Sequence, residues 1–398
     1  MTAKGALARI AVLAIAIAMA APLKPAAAAD RFVFTYVERE NDEAYRPHRA
    51  YTGLTLRTRH RPVDGAKTAL RESKVLGRAV GVRFEMDVLR IGGEQDAHAA
   101  IRAALEGSPS RVFILDLPLE DMRRVAEHLA GEDLILFNPR HGDGTLRNRE
   151  CAPNLFHTAP SRAMLMDGLS QYLRKKGWVR ILVLEGEHED DRRSSRAFAH
   201  SAGKYGLNIV DTRTFKLGND PRHRDRINVA LLTEGDYDAV FLADSVGEFG
   251  RYVPYQTQLP RPVVGSEGLR ASAWHWTWER HGAPQLNQRF GKRAKRRMKD
   301  ADWAAWAAVK SVVEAVIRTK ATDIPAIRSY LTSDKLNLDA YKGTPASFRP
   351  WNNQLRQPVL LHTHNAVIAR APLEEYLHRT HSLDTLGVDK ENTACRMD

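Results

Sequence analysis

The chain has 398 residues, with 60 Lys and Arg against 48 Asp and Glu, a formal charge of +12, 43% hydrophobic residues and two cysteines. That length supplies enough apolar material for two lobes with separate cores. Beyond the first thirty residues no stretch is apolar enough to span a bilayer, which excludes a multi-span membrane protein.

In chain order, the N-terminus opens on Lys4 and Arg9, followed by the apolar run IAVLAIAIAMAA at 10–21, then Pro22 and Pro25, then Ala27 and Ala29 in a small-x-small pattern. This pattern predicts a secretory leader over 1–29, cut between Ala29 and Asp30, with a retained membrane anchor as the alternative. The expected compartment is the periplasm. Setting aside Lys4, Arg9 and Lys24 leaves a charge of +9, much of it in runs such as RTRHR at 57–61 and KRAKRR at 292–297. In a secreted protein such runs are ordinarily solvated faces. Contact with anionic lipid or an acidic partner is the functional alternative, and nucleic acid is not an expected partner.

The mature chain alternates strand and helix. Strands are expected over 31–38, 82–89, 112–117 and 134–137. Between them lie a helix over 62–76 stopped by Gly77, one capped by Asp96 and ended by Gly107, and one carrying Met122, Val125 and Leu129. After Pro160 the rhythm restarts: Ser161 caps a helix with Leu165, Leu169 and Leu173, followed by strands over 179–184, 207–210, 239–243 and 263–265. Helices over 193–205 and 222–232 separate these strands. The expected fold is α/β, two doubly wound Rossmann-like lobes joined by three hinge crossings near Pro160, Pro284 and Pro350. Lobe one takes 30–159 and 285–349, lobe two takes 160–284 and 350–372, and a tail over 373–398 packs back on lobe one. In an oxidising compartment Cys151 and Cys395 are expected to pair, tying that tail to the first half of the chain; two unrelated buried thiols are the alternative.

Several words in the chain carry a family likeness: DGAKTALRESKVLGRAVGVRFE at 64–85, FHTAPSRAMLMDGLSQYLRKKGW at 156–178, GDYDAVFLAD at 235–244 and PVVGSEGL at 262–269. On these the chain resembles type I periplasmic binding proteins of the branched-chain amino acid (Leu/Ile/Val) family, over nearly its whole mature length. CAPNLFHTAPSRAML, DADWAAWAAVKSVVEAV, SFRPWNNQLRQPVLL and LDTLGVDKENTAC are similar to a narrower branch, one associated with PQQ-dependent alcohol dehydrogenase systems and, in methylotrophs, with lanthanide uptake. The resemblance implies a non-enzymatic receptor that serves an inner-membrane ABC permease. It also implies a small ligand, with a lanthanide ion or its chelate as the candidate, and no prosthetic group. The alternative is an accessory protein that docks on or matures a PQQ-dependent dehydrogenase. The loops depart from the amino-acid binders: DLPL at 116–119, NPRHGD at 138–143 and EGEHEDD at 185–191 replace hydroxyl-bearing and aromatic turns.

In open α/β sheets ligands sit beyond the carboxyl ends of the strands. That rule selects Asp116, Asn138 and Arg140 from lobe one, and from lobe two Glu185, Glu187, Asp190, Asp191, Asp244, Ser245, Ser266 and Glu267. Most are carboxylates, which repel when brought together unless they are solvated, paired with Arg or bound to a cation. Asp116, Asp244 and Glu267 each directly end a strand and are the expected ligands of a hard cation, which favours carboxylate oxygens. The competing reading makes EGEHEDD an exposed run paired with Arg192, Arg193 and Arg196. Trp274, Trp276 and Trp278 alternate as an aromatic cage would require but are expected in packing roles, as are Trp303 and Trp306; His362 and His364 have H-x-H spacing that a soft metal could use but, with no third ligand, are expected at the surface. No H-E-x-x-H, G-x-S-x-G, phosphate loop or EF-hand pattern occurs.

Overall fold

The computed structural model describes residues 29–50, 53–218 and 220–397. Apart from Ala29, the expected leader lies outside them. Among the described residues no helix is long and apolar enough to cross a membrane.

The first sheet is built from β1 (Asp30–Arg39), β2 (Val82–Ile91), β3 (Val112–Asp116), β4 (Ile135–Asn138) and β5 (Leu155–His157), all parallel, in the order β2-β1-β3-β4-β5. Helices α1 (Val63–Ala79), α2 (Ala97–Gly107) and α3 (Leu119–His128) connect the early strands. β1 and β3 are buried over almost their whole length, as expected where helices cover both faces of a parallel sheet. α1 turns Ala66, Ala69, Leu70 and Ser73 inward at helical spacing. Gly77 does not stop this helix. It lies one turn inside, where a Cβ would come within 2.6 Å of Val82 O and 2.9 Å of the Phe84 ring.

The second lobe repeats the plan with α4 (Arg162–Lys175), β6 (Arg180–Glu185), α5 (Glu189–Lys204), β7 (Asn208–Thr214), β8 (Ala239–Ala243) and β9 (Val263–Gly265), the strands ordered β9-β8-β6-β7. Ser161 caps α4 by accepting from Met164 N at 3.1 Å. The helix expected over 222–232 is broken: Asn228 accepts from Ala230 N and Leu231 N and so starts a new turn, the usual competition of an Asn side chain with a continuing helix. β10 (Arg270–Ser272) joins β11 (Val359–His362) and β12 (Val367–Ala371) in a small antiparallel sheet against α4.

Between β10 and β11 the chain revisits the first lobe through α6 (Ala283–Ala294), α7 (Asp300–Thr319) and α8 (Ile324–Thr332). α7 lies along α1 with Trp303 and Trp306 fully buried; truncating either to Ala would cost about 3–5 kcal/mol. The second crossing precedes Pro284, which sits in the first turn of α6. Trp274 already belongs to the first-lobe core and stacks on Trp303 at 6.3 Å. The third follows Pro350, because Phe348 and Leu355 still pack in that core while Val359 packs in the other.

The tail is not confined to the first lobe. Lys204 donates to Thr385 O at 2.7 Å, Gly387 N donates to Asp167 at 2.7 Å, and Leu386 fills the second-lobe core. Asp384 is held at 2.8 Å by both Arg349 and Arg356. Asp384 thus meets arginines on either side of the third crossing, and farther on Cys395 forms a disulfide with Cys151 of lobe one. Sequence reading placed the tail by its cysteine alone; Asp384, Leu386 and Gly387 gave no comparable signal. The tail is a strap that holds both lobes.

Candidate functional site

Both sheets reverse strand order between their first and third strands, so each has its crevice at the carboxyl ends of that pair. In lobe one these ends bring Glu38 and Asp116 into register, and in lobe two Glu185 and Ala243, with Asp244 next in the chain.

Asp116 is fully buried and fully engaged. Tyr36 donates its hydroxyl to one carboxylate oxygen at 2.9 Å and Tyr45 to the other. Arg61 approaches at 3.3 Å and Arg140 at 3.2 Å. Both guanidiniums lie against the Tyr45 ring, 4.6 and 5.1 Å from its centroid. Burial and the Asp116 charge push both tyrosine hydroxyls above their ordinary pKa, so they remain donors. Arg140 also binds Asp42 at 2.5 Å. Burial alone would raise the Asp42 carboxyl, but the Arg140 hydrogen bond holds it below its usual value.

Asn138 is buried and shapes the loop rather than facing the cleft as a free group. Its amide oxygen accepts from Arg140 N at 3.1 Å and His141 N at 2.8 Å, and its nitrogen donates to His141 O at 2.9 Å. That turn aims Arg140. Burial and the neighbouring Arg140 push His141 down to about 4, leaving a neutral ring bonded to Leu117 O at 2.7 Å.

On the facing wall, the acidic run after β6 is mostly the first turn of α5, where carboxylates complement the helix dipole. Asp191 is buried, closes a capping box with His188 and accepts from Ser245 N at 2.5 Å, tying α5 to the loop after β8. The close approach requires glycine at 186, where a Cβ would sit 2.3 Å from an Asp191 oxygen. Asp190 is exposed and pairs with Arg162 and Arg193 at 3.6 Å. Glu187 pairs with Arg226 at 2.8 Å, and Glu189 pairs with Arg196 at 2.7 Å.

Asp244 is buried and accepts from Gly247 N at 2.6 Å and Gly250 N at 2.7 Å, while its own N donates to Ser266 Oγ at 3.1 Å. A Cβ at Gly250 would lie 3.0 Å from Asp244 Oδ2 and 3.2 Å from Glu267 Cγ. The structure therefore brings Asp244, Ser245, Ser266, Glu267 and Asp191 together on one wall, and Asp116, Asn138 and Arg140 on the other.

It does not assemble Asp116, Asp244 and Glu267 as metal ligands. Among the described residues no group of three or more His, Cys, Asp or Glu is arranged to hold a metal ion. The reason is local. Arg61 and Arg140 fold onto Asp116 and supply the countercharge that a cation would have supplied. Arg61, Tyr36, Tyr45 and Asp42 carry no site signal in the sequence. The RTRHR run reads as a solvated face, although the place of Arg61 just before Pro62 and α1 puts it at the cleft end of the sheet.

The crossings are bound to each other by buried amides. Gln354 donates to His157 O at 3.2 Å and Ala159 O at 3.1 Å, and Gln357 donates to Thr158 O at 2.8 Å. Lys342, fully buried, donates to Gln357 at 2.8 Å and Pro358 O at 3.1 Å, over the face of Trp303. An open pocket of about 790 Å³ lies instead at the outer edge of lobe two, lined by Arg213, Asp225, Arg226 and Glu234, and contains no residue of either wall.

No family model and no curated protein matches the chain. Solved structures do. A periplasmic binding protein from Burkholderia mallei aligns with TM-score 0.62 and 13% identity, covering 93% of this chain and 99% of that one. A Leu-, Ile-, Val-, Thr- and Ala-binding protein from Brucella ovis, in a closed conformation, aligns at 0.63 with 14% identity over 87% and 93%. A solute binding protein of an ABC transporter from Rhodopseudomonas palustris, in complex with 3,4-dihydroxybenzoic acid, aligns at 0.60 with 13% identity over 86% and 95%. With its two doubly wound sheets, their facing switch points and these neighbours, the chain has the type I periplasmic binding protein fold.

Proposed function

We propose that this chain is a periplasmic solute-binding protein that closes on a small ligand between its lobes and presents it to an inner-membrane ABC permease. The facing switch points carry this reading: two walls of polar groups, one on each lobe, with the crossings gathered behind them. That is the arrangement in which hinge closure buries a ligand. The leader-like N-terminus supports the compartment, and the solved neighbours support the receptor role. None of these neighbours is named as an enzyme, and no enzymatic activity is proposed.

The resemblance to the PQQ-dependent alcohol dehydrogenase branch supports a place in that system, with a lanthanide ion or its chelate as ligand. The walls favour the chelate. A bare cation would meet an Asp116 already neutralised by two arginines. An oxygen-rich anionic chelate would meet the accessible edge of Arg61, whose side chain is 22% exposed, and the carboxylates of Asp244 and Glu267 would face the metal. The Rhodopseudomonas palustris neighbour is itself in complex with an oxygen-rich acid.

Calorimetric titration of metal-stripped protein with lanthanum citrate, lanthanum alone, calcium, leucine and small alcohols tests this reading, with small-angle scattering on each mixture. Lanthanum citrate should bind and reduce the radius of gyration. Binding of leucine instead would make the chain an amino-acid receptor. Failure of every probe to bind or compact the protein would favour the accessory role beside a PQQ-dependent dehydrogenase.

A further inference from the structure

The two long helices on the outer face of lobe one carry a charge pattern that the cleft does not use. On α1, Arg71, Lys74 and Arg78 recur at spacings of three and four, so they share one exposed face. α6 lies alongside and adds Lys292 and Arg293, also exposed. Between the helices runs a groove of about 350 Å³ lined by Thr68, Arg71, Glu72, Arg289, Lys292 and Arg293. Its one carboxylate is spent, since Glu72 binds Arg289 at 2.5 Å and Trp306 Nε1 at 2.9 Å. Among the described residues, the structure gives none of the five exposed cations an ion-pair partner. Amid them Val75 is 67% exposed.

We propose that this face is a contact surface for an anionic phospholipid bilayer. Unneutralised cations held at fixed spacing on a rigid pair of helices are attracted by a negative leaflet, each Lys or Arg contributing roughly a fivefold gain in binding. The groove is lined by both Arg71 and Arg293, charges suited to a phosphate headgroup, and the protruding Val75 suits shallow insertion at the headgroup level. A protein interface would be expected to centre on buried aromatic anchors; the apolar residue exposed among these cations is Val75. The proposal does not depend on what the cleft binds.

Flotation of the mature chain with vesicles tests it, using three parts phosphatidylcholine to one part phosphatidylglycerol, against pure phosphatidylcholine. The protein should float with the anionic vesicles at low salt, remain behind with the neutral ones, and dissociate at high salt as screening shortens the Debye length. Arg71→Glu with Arg293→Glu should weaken binding at least tenfold; Arg71→Gln with Arg293→Gln should weaken it less while keeping the thermal midpoint of the parent. A control reversal of two exposed arginines on lobe two, Arg224→Glu with Arg261→Glu, should leave it unchanged. Equal loss in the control would reduce the effect to net charge and overturn the proposal. So would undiminished binding by the α1/α6 variants, or binding of a polyglutamate peptide without binding of anionic vesicles.

Discussion

Removing the Cys151–Cys395 bridge should both destabilise the protein and loosen its lobes, because the bridge closes the strap that runs from one lobe to the other. The bonded pair is 244 residues apart in sequence. In the chain-entropy account a loop of that length corresponds to a ceiling of about 5.5 kcal/mol at 25 °C. With an unfolding entropy of about 0.8 kcal/mol/K for a chain of roughly 370 residues, that is a drop of about 7 °C in the thermal midpoint. The full ceiling should not be reached, since Leu386 and Gly387 keep the strap on lobe two, and Asp384 keeps it on Arg349, when the bond is absent. A fall of about 3–6 °C is expected for Cys151→Ser with Cys395→Ser. Scanning calorimetry measures the midpoint, small-angle scattering the spread of lobe separations, and mass spectrometry of unreduced peptides confirms the bond in the parent. If the bonded parent and the double variant melt within 1 °C of each other and scatter alike, the strap carries no load and the reasoning fails.

Asp384→Asn should be costlier per atom: it leaves Arg349, whose side chain is 1% exposed, without its carboxylate, a loss of about 3–5 kcal/mol readable by urea denaturation. Burial would raise the Asp384 carboxyl, but hydrogen bonds from Arg356 and Arg349 hold it below its ordinary value. Its stabilisation is therefore complete above the unfolded carboxylate pKa of about 3.9 and is lost as pH falls through the lower folded value. The parent's advantage over the Asn variant should shrink below pH 4, and an advantage constant to pH 2 would refute the assignment. Asp116→Asn should cost about 2–4 kcal/mol by leaving Arg61 and Arg140 one buried carboxylate short, with Glu38 and Asp42 as their remaining partners, and should strengthen, not weaken, the binding of anionic ligands in calorimetry. Burial holds the Lys342 amine well below its usual value. The unfolded chain binds that proton more tightly, so the parent should gain stability relative to Lys342→Met as pH rises from neutrality towards 10. Parallel pH–stability curves for the two would place Lys342 elsewhere than in the buried junction.

The rhythm of alternating elements, the switch-point carboxylates and the disulfide pair could all be read along the chain. Each is a local pattern: apolar runs of strand length, residues that follow a strand directly, two cysteines in an oxidising compartment. Asp116 and Asp244 were found because a strand's carboxyl end is visible in one dimension. Their surroundings were not. Asp116 draws its partners from β1, from the loop at 40–62 and from the turn after β4, and no spacing rule relates those segments. The strand-end carboxylates therefore suggest a cation site along the chain, whereas folding matches Asp116 with arginines and Asp244 with the backbone N–H groups of Gly247 and Gly250.

The same division explains the crossings and the tail. Proline marked where the chain could turn, but the lobe a segment joins depends on which core has room for its side chains, and Trp274 goes to the first core some ten residues before Pro284. Sequence by itself determined the element types, the doubly wound class and the residues standing at the strand ends, because hydrophobic periodicity and strand termini are properties of neighbours in the chain. Only the tertiary structure decided which charges neutralise one another, that basic residues of α1 and α6 form one face, and that the C-terminal segment straps two lobes, because Coulomb and packing energies depend on distance in space.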